Sequence, residues 1–374
     1  MKKPAADQQI ASKSNVYRTL YDVRGFCSKQ ELAKKCGISM PTLYQNLNDL
    51  MEQGLVCYSG EERSTGGRKA QGLGTVSDAR VSVGLSMTEK SVRMVAADLR
   101  LQELAYQTVP FDTCTKLRGD PSEIGEILER FLNEFDISRK KLLGVGITIP
   151  GIISPDHTRL LLAPTLGLEN IPLNKLIHSI PYPTYIDNDG TASGHAEGFV
   201  RRSFRNMAYL SLENGVGGAV LTEGRLYEGN SGRSGEFGHI CVEPGGLRCS
   251  CGRNGCLEAY CSPLRIEKTF GVDLETFFQG VENHNPEYEA LLSDILRHLA
   301  IGVNNMHTVL DSDVVLGGFF SEYLQPYLPL LRQYVMAGNP LSSDAGFLQL
   351  SAVPHHITAL GAALYFIRDF IFSV

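Results

Sequence analysis

Four residues within eighteen positions carry the sharpest chemistry in this chain: His239, Cys249, Cys251 and Cys256. Three thiols and an imidazole are the donor set of a tetrahedral Cys₃His zinc site, and Gly252 and Gly255 let the chain double back so that the cysteines converge. Cys-x-Cys is tighter than the usual Cys-x₂-Cys, so a cluster of buried thiols is the alternative. Crowded cysteines in an intracellular chain favour metal ligation over disulfides. Cys241 and Cys261 are expected in the core.

Two further groups of polar residues lie upstream. Tyr185-Ile-Asp187-Asn188-Asp189-Gly190 reads as a strand whose end delivers an amide and a carboxylate. That is where ligands bind in α/β sheets, although an Asx turn closing a hairpin would produce the same residues. Gly235-Glu236-Phe-Gly-His239 sets a carboxylate three residues before the imidazole, and Glu258 follows the last cysteine by two.

Gly-punctuated apolar segments alternating with helical stretches run from about Val81 onward and predict an α/β body. The strands are expected at Val81–Leu85, Val92–Asp98, Leu143–Ile149, Thr184–Ile186, Met207–Leu212, Gly218–Leu221 and Val314–Leu316. Ile149-Pro150-Gly151 and Leu316-Gly317-Gly318 form turns suited to phosphate or sugar. No repeat of short period is visible.

Residues 8–55 read as three short helices. The first carries Val16, Leu20 and Val23 and stops near Gly25; Ser28 and Glu31 form a capping box for the second, which stops at Cys36-Gly37. Ser39 caps a third whose Leu43, Leu47 and Leu50 repeat at helical spacing. A helix, a Gly-containing turn and a second helix make a helix-turn-helix, and a hairpin from Gly54-Leu55-Val56-Cys57-Tyr58 to Arg68-Lys69 makes the wing. The outward face then offers Met40, Pro41, Thr42, Tyr44, Gln45 and Asn48 to base edges and phosphates, with Arg68 and Lys69 on the wing. A protein-docking module with a solvated basic loop is the competing reading.

Charge agrees with this division. Among 374 residues the net charge is −6, but residues 1–80 hold 12 Lys+Arg against 8 Asp+Glu, while the rest hold 23 against 33. A basic head on an acidic body points to a polyanion at the head alone. With 43% apolar and 20% charged residues the composition is that of packed globular domains. The most apolar stretch, residues 142–153, is short and interrupted by Thr148 and Pro150, so no membrane partner is expected. The polar, lysine-bearing start has no apolar signal core, and a cytoplasmic location is expected.

The run Gly229-Asn-Ser-Gly-Arg-Ser-Gly235-Glu236-Phe-Gly238-His239, with the Cys-x-Cys-Gly-x₃-Cys-x-Glu block after it, resembles the signature of the ROK family of sugar-responsive repressors and sugar kinases. The likeness extends through Asn188-Asp189, Glu213-Asn-Gly-Val-Gly-Gly218, Leu316-Gly317-Gly318 and Ala359-Leu-Gly-Ala-Ala363. It implies a multidomain chain: a winged helix-turn-helix DNA-binding domain at 1–75, and at 80–374 a two-lobed α/β, actin-like (ribonuclease H-like) sugar-binding domain. Its lobes would span about 80–187 with 355–374, and about 188–354. The resemblance assigns Asn188, Asp189, Glu236, His239 and Glu258 to a hexose or hexose derivative, and a structural Zn²⁺ to His239, Cys249, Cys251 and Cys256. Thr165 stands where the family often has Asn.

Family kinases carry Asp-x-Gly-Gly-Thr near the first strand for Mg²⁺ and ATP phosphates. Aligned on Val83-Gly84-Leu85-Ser86-Met87-Thr88-Glu89, the Asp is Gly84 and the glycines are Ser86 and Met87. No catalytic residue is therefore expected, and Asp189 is a vestigial base. The chain is expected to be no enzyme but a sugar-responsive regulator, a repressor of carbohydrate genes, with operator DNA and a sugar effector as partners and a homodimer or dimer of dimers as assembly. The alternative is an ATP-dependent, glucokinase-like sugar kinase with an accessory DNA-binding domain.

Overall fold

The computed structural model describes residues 5–23, 25–61, 71–201, 205–339, 341–342, 344–353 and 355–374. The head consists of α1 (Ala5–Asp22), α2 (Lys29–Cys36), α3 (Met40–Glu52) and an antiparallel pair, β1 (Val56–Glu61) and β2 (Gln71–Thr75). Local chemistry sets the boundaries. The Ser28 hydroxyl accepts the Glu31 N–H while the Glu31 carboxylate accepts the Ser28 N–H, the reciprocal cap that the spacing requires. Ser39 caps α3, with Pro41 in the first turn, where a missing N–H costs nothing. Leu43, Leu47 and Leu50 are buried, and so is Asn46, whose amide donates to Ser12 Oγ at 2.9 Å.

The body begins with β3 (Val81–Met87), β4 (Ser91–Asp98) and β5 (Glu103–Pro110), followed by α4 (Thr113–Arg118), α5 (Glu123–Glu134) and β6 (Leu142–Ile149). A small antiparallel sheet of β7 (Ile152–Ile153), β8 (Arg159–Ala163) and β9 (Leu168–Pro172) then leads through α6 (Asn174–His178) to β10 (Thr184–Asn188). The main sheet has the order β10-β6-β3-β4-β5: β3, β4 and β5 form an antiparallel meander, with β6 and β10 parallel to β3.

After α7 (Asp189–Arg201) the plan repeats. Strands β11 (Met207–Leu212), β12 (Val216–Thr222) and β13 (Arg225–Leu226) form the second meander. The helical segment α8 (Leu257–Cys261), α9 (Leu264–Phe270), α10 (Leu274–Glu282) and α11 (Pro286–Leu310) follows. Then come β14 (Asp313–Gly317), α12 (Phe319–Glu322), α13 (Leu328–Ala337), β15 (Leu348–Leu350) and α14 (Ile357–Ser373). The second sheet runs β13-β12-β11-β14-β15, with β14 and β15 parallel, the same strand plan as the first. This is the two-lobed, actin-like α/β body. Its duplication spans more than a hundred residues, which is why no short period betrays it.

Helix α14 returns to the first sheet and lies against β3, β4, β6 and α7. Gly84 makes that possible: a Cβ there would sit 1.7 Å from the Ala359 carbonyl oxygen. The same helix reaches the head. The Tyr17 ring meets Phe370 edge-on at 6.4 Å, and the Ser14 hydroxyl donates to the Val374 carbonyl. Tyr21 donates to the Leu99 carbonyl at 2.6 Å, while Arg100 donates to the Tyr21 carbonyl at 2.6 Å and to Thr75 Oγ1 at 2.8 Å. One hydrophobic cluster therefore runs from Val16 and Leu20 of α1 to Leu364 and Ile371 of α14.

The expected strands are all present, Met207–Leu212 with the expected bounds and the others longer by one to three residues. The reading missed β5, an edge strand whose polar, mostly exposed face hides its period, β8 and β9 of the small antiparallel sheet, and the very short β7, β13 and β15. Cys261 is buried as expected, but Cys241 is exposed, paired in an isolated antiparallel bridge with Cys256.

Candidate functional site

The metal-type cluster assembles as its spacing requires. His239, Cys249, Cys251 and Cys256 each offer one donor atom, all within 4.8 Å of one another. Cys251 Sγ lies 3.7 Å from Cys256 Sγ, and Cys249 Sγ 3.7 Å from His239 Nδ1. A tetrahedron built on Zn–S bonds of ~2.3 Å has edges of roughly 3.8 Å, so these donors already stand at metal spacing. Positive φ angles of 89° at Gly252 and 83° at Gly255 turn the loop. Backbone bonds from Cys249 N–H to Arg253 O and from Gly255 N–H to Leu247 O, both 2.8 Å, hold it. Soft thiolates plus one imidazole fit Zn²⁺. With Nδ1 turned to the sulfurs, His239 directs Nε2 toward Glu236 Oε2, 3.9 Å away.

Asn188 closes β10 and Asp189 opens α7, so the amide and carboxylate stand at the carboxyl edge of a parallel strand. The Asn188 side chain donates to the Gly151 carbonyl at 2.7 Å and accepts the Thr191 N–H at 3.0 Å. An Asx-type turn is indeed present, but it starts a helix instead of closing a hairpin. Asp189 accepts the Gly190 N–H at 2.9 Å. Burial pushes its carboxyl above the ordinary range.

Gly218 of β12 brings the remaining members in. It touches the first turn of α7 at Gly190 on one side and the Gly235 segment on the other. Burial raises the Glu236 carboxyl, opposed by His239, with the charges of Asp189 and Glu258 adding to the rise. Glu258, in the first turn of α8, is held at both oxygens: Oε1 accepts the Ser250 hydroxyl at 2.5 Å and Oε2 the Val216 N–H at 3.0 Å. Thr165 borders the same space beside Gly215. Asn188, Asp189, Glu236, His239 and Glu258 thus lie near one another beside the cysteine cluster. Such a set can accept and donate hydrogen bonds to several hydroxyls at once.

Sequence reasoning missed Glu213. Its Oε1 accepts the Phe319 N–H at 3.3 Å, and burial pushes its carboxyl up to about 7 despite Arg93, with Asp189 and Glu322 contributing further. An acid inside a glycine-rich run was the available signal.

The stretch aligned with the kinase phosphate loop is part of the first hairpin. Ser86 and Met87 are buried and paired in the ladder with Arg93 and Val92, and Gly84 lies mid-strand under α14. An aspartate at 84 would have no room. The turn itself is Thr88-Glu89-Lys90, without glycine, and is tied down by Thr88 Oγ1 to Ser91 and by Thr113 N–H to the Glu89 carbonyl.

On the head, Pro41, Tyr44, Gln45 and Asn48 are exposed along α3. Met40 differs: it is half-buried and packs on the head core. Thr42 is also partly covered, its hydroxyl bonded to Ser39 at 2.9 Å. Arg68 and Lys69 lie outside the described residues. Lys29, which the reading passed over, stands over the Tyr44 and Tyr58 rings at 4.5 and 5.0 Å. Its signal was a lysine immediately after the Ser28 cap. Among the described residues no helix is long and apolar enough to cross a membrane.

Comparison with known proteins places this geometry. The xylose repressor of Bacillus subtilis (strain 168) is 27% identical over 326 residues, covering 83% of this chain and 83% of its own. The DNA-binding transcriptional dual regulator NagC of Escherichia coli (strain K12) is 25% identical over 285 residues, covering 75% and 69%. The crystal structure of a ROK family transcriptional regulator, a homolog of the E. coli MLC protein, superposes with a TM-score of 0.74 at 19% identity, covering 98% of this chain and 97% of that one. A ROK hexokinase from Thermus thermophilus shares the body, with a TM-score of 0.61 at 25% identity over 77% of this chain and 99% of its own. The ROK family pattern itself matches residues 83–368, and the chain belongs to the ROK family.

Proposed function

We propose that this protein is a sugar-responsive transcriptional regulator, a repressor of carbohydrate genes. Its head, residues 1–75, is a winged helix-turn-helix that binds operator DNA; its body, 80–374, binds a hexose or related sugar. The observation that carries the reading is the proximity of Asn188, Asp189, Glu236, His239 and Glu258 to one another, in a chain that also bears an exposed α3 face. The repressor relatives support it.

Asn188 belongs to the first sheet and is anchored to Gly151, whereas Glu236, His239 and Glu258 hang from the second. A sugar held by both groups draws the lobes together. Zn²⁺, bound by His239, Cys249, Cys251 and Cys256, would supply a fixed coordination frame and no redox chemistry. His239 then keeps its proton on Nε2, facing Glu236 and the sugar. Asp189 accepts a hydroxyl hydrogen bond without removing the proton. Movement of α7 reaches α14, and through Phe370 and Tyr17 reaches α1. A tenfold change in the DNA-binding population needs about 1.4 kcal/mol of sugar preference for one state. In a two-fold dimer the α3 helices would enter successive major grooves, ~34–36 Å apart.

The kinase reading retains two supports, the Asp189 carboxylate and the likeness of the body to a ROK hexokinase. Against it stand the glycine-free Thr88-Glu89-Lys90 turn and the Glu213 carboxylate, both hostile to polyphosphate. The test is a thermal-shift screen of free, phosphorylated and N-acetylated sugars, followed by operator binding with each hit. A sugar that stabilises the protein and changes operator affinity supports the proposal. Sugar-dependent ATP turnover at ~1–100 s⁻¹ overturns it.

A further inference from the structure

We infer that Ser250 is a positioning residue for the sugar, the single hydroxyl through which the cysteine loop sets the Glu258 carboxylate. The inference rests on the sugar-binding reading above and adds to it a residue that ligates nothing.

Ser250 lies between Cys249 and Cys251, so its backbone is fixed wherever the loop's donors are fixed. Its hydroxyl donates to Glu258 Oε1 at 2.5 Å. The other carboxylate oxygen is held by the Val216 N–H at 3.0 Å, at the start of β12. Gly215, next to it, leaves the approach open: even a Cβ there would lie 3.6 Å from Oε2. Glu258 therefore spans two bodies, the loop and the sheet: Oε1 meets the Ser250 hydroxyl and, at 3.5 Å, the Cys249 sulfur, and Oε2 meets the Val216 N–H.

The consequence is geometric. A carboxylate oxygen has two acceptor positions, and with Cys249 bound to metal as a thiolate, which has no proton to give, each oxygen spends one on the protein. The two that remain are fixed in direction and can take two neighbouring hydroxyls of one ring. Without the Ser250 hydroxyl, Oε1 is free to turn about the Val216 bond and the paired acceptor geometry is lost. The loop's fold does not rest on the hydroxyl, since its backbone bonds are made without it, although the hydroxyl also stands 3.8 Å from Cys249 Sγ.

The test compares full-length wild type, Ser250→Ala and Ser250→Thr, each loaded with zinc. Zinc per chain, thermal midpoint without sugar, and calorimetric titration with D-xylose and N-acetyl-D-glucosamine are measured, and zinc-loaded crystals of Ser250→Ala show the Glu258 side chain. Zinc content and midpoint stay at wild-type values in Ser250→Ala, Kd for the bound sugar rises about tenfold, as loss of one charge-assisted hydrogen bond implies, and threonine restores it. The Glu258 carboxylate turns away in the crystal. Unchanged affinity, an unmoved Glu258, or loss of zinc from Ser250→Ala each overturns the inference, the last because the hydroxyl would then be serving the loop itself. If wild type binds neither sugar, that part of the effector reading fails, while the crystal still decides Ser250.

Discussion

Stripping the metal is the perturbation with the most legible outcome. Four donors stand at tetrahedral spacing, but the 241–256 loop has bonds of its own, including Cys249 N–H to Arg253 O, Val242 N–H to Gly255 O and Arg253 to the His239 carbonyl, each 2.8 Å. Beneath it Leu257, Tyr260 and Cys261 belong to the second lobe's core. Chelation should therefore loosen the loop without unfolding the lobe. Two of the five groups proposed to hold the sugar depend on the loop directly: His239, whose Nδ1 loses its partner, and Glu258, whose Ser250 donor moves. If each contributes ~1.5–3 kcal/mol as a charge-assisted contact, the sum is roughly 3–6 kcal/mol, or a 10²–10⁴-fold loss of sugar affinity. Calorimetric titration of a sugar found in the screen, before and after chelation and again after zinc is restored, measures it, with metal content checked by emission spectroscopy. Wild-type affinity in protein shown to be metal-free would refute the reasoning.

Other outcomes follow from single contacts. Glu213, with its carboxyl pushed up to about 7, binds a proton more tightly in the folded chain than in the unfolded one, where it titrates near ~4.5. Its contribution to stability is full below the lower value and falls as pH rises toward 7, so Glu213→Gln should raise the thermal midpoint more at pH 8 than at pH 4.5; an equal effect at both refutes this. Lys29→Met should weaken operator binding and lower the slope of log K against log salt by about 0.9, leaving the ranking of operator variants unchanged. Gln45→Ala should instead flatten that ranking, costing ~1–3 kcal/mol at the base pair it reads. Gly84→Ala drives a methyl into the Ala359 carbonyl and should destabilise by at least ~1–3 kcal/mol, with hydrogen exchange rising in α14 and α1 together.

The parts of this molecule legible from sequence are those governed by neighbours in the chain. The Ser28–Glu31 cap, the leucine face of α3 and the cysteine loop all depend on residues a few positions apart, and all form as the spacing demands. What escaped notice depends on long-range packing. Gly84 resembles a degraded phosphate loop until α14, nearly three hundred residues later, is seen lying on it. Glu213 becomes meaningful only when Phe319 and Arg93 are brought beside it. Met40 looks like part of an outward face until the head core claims it. Ser250 is a spacer between ligands in one dimension and a hydrogen-bond donor in three.

The cluster that joins Val16, Tyr17 and Leu20 to Leu364, Phe370 and Ile371 makes the reading head and the sensing body inseparable in heritage as well as in melting. A head transplanted from a relative would arrive without the aromatic and aliphatic surface shaped to receive it. Changes of operator within such a lineage should therefore arise by substitution along α3, while α1 and α14 drift only in step with each other. In denaturant the two ends of the chain should give way in one transition.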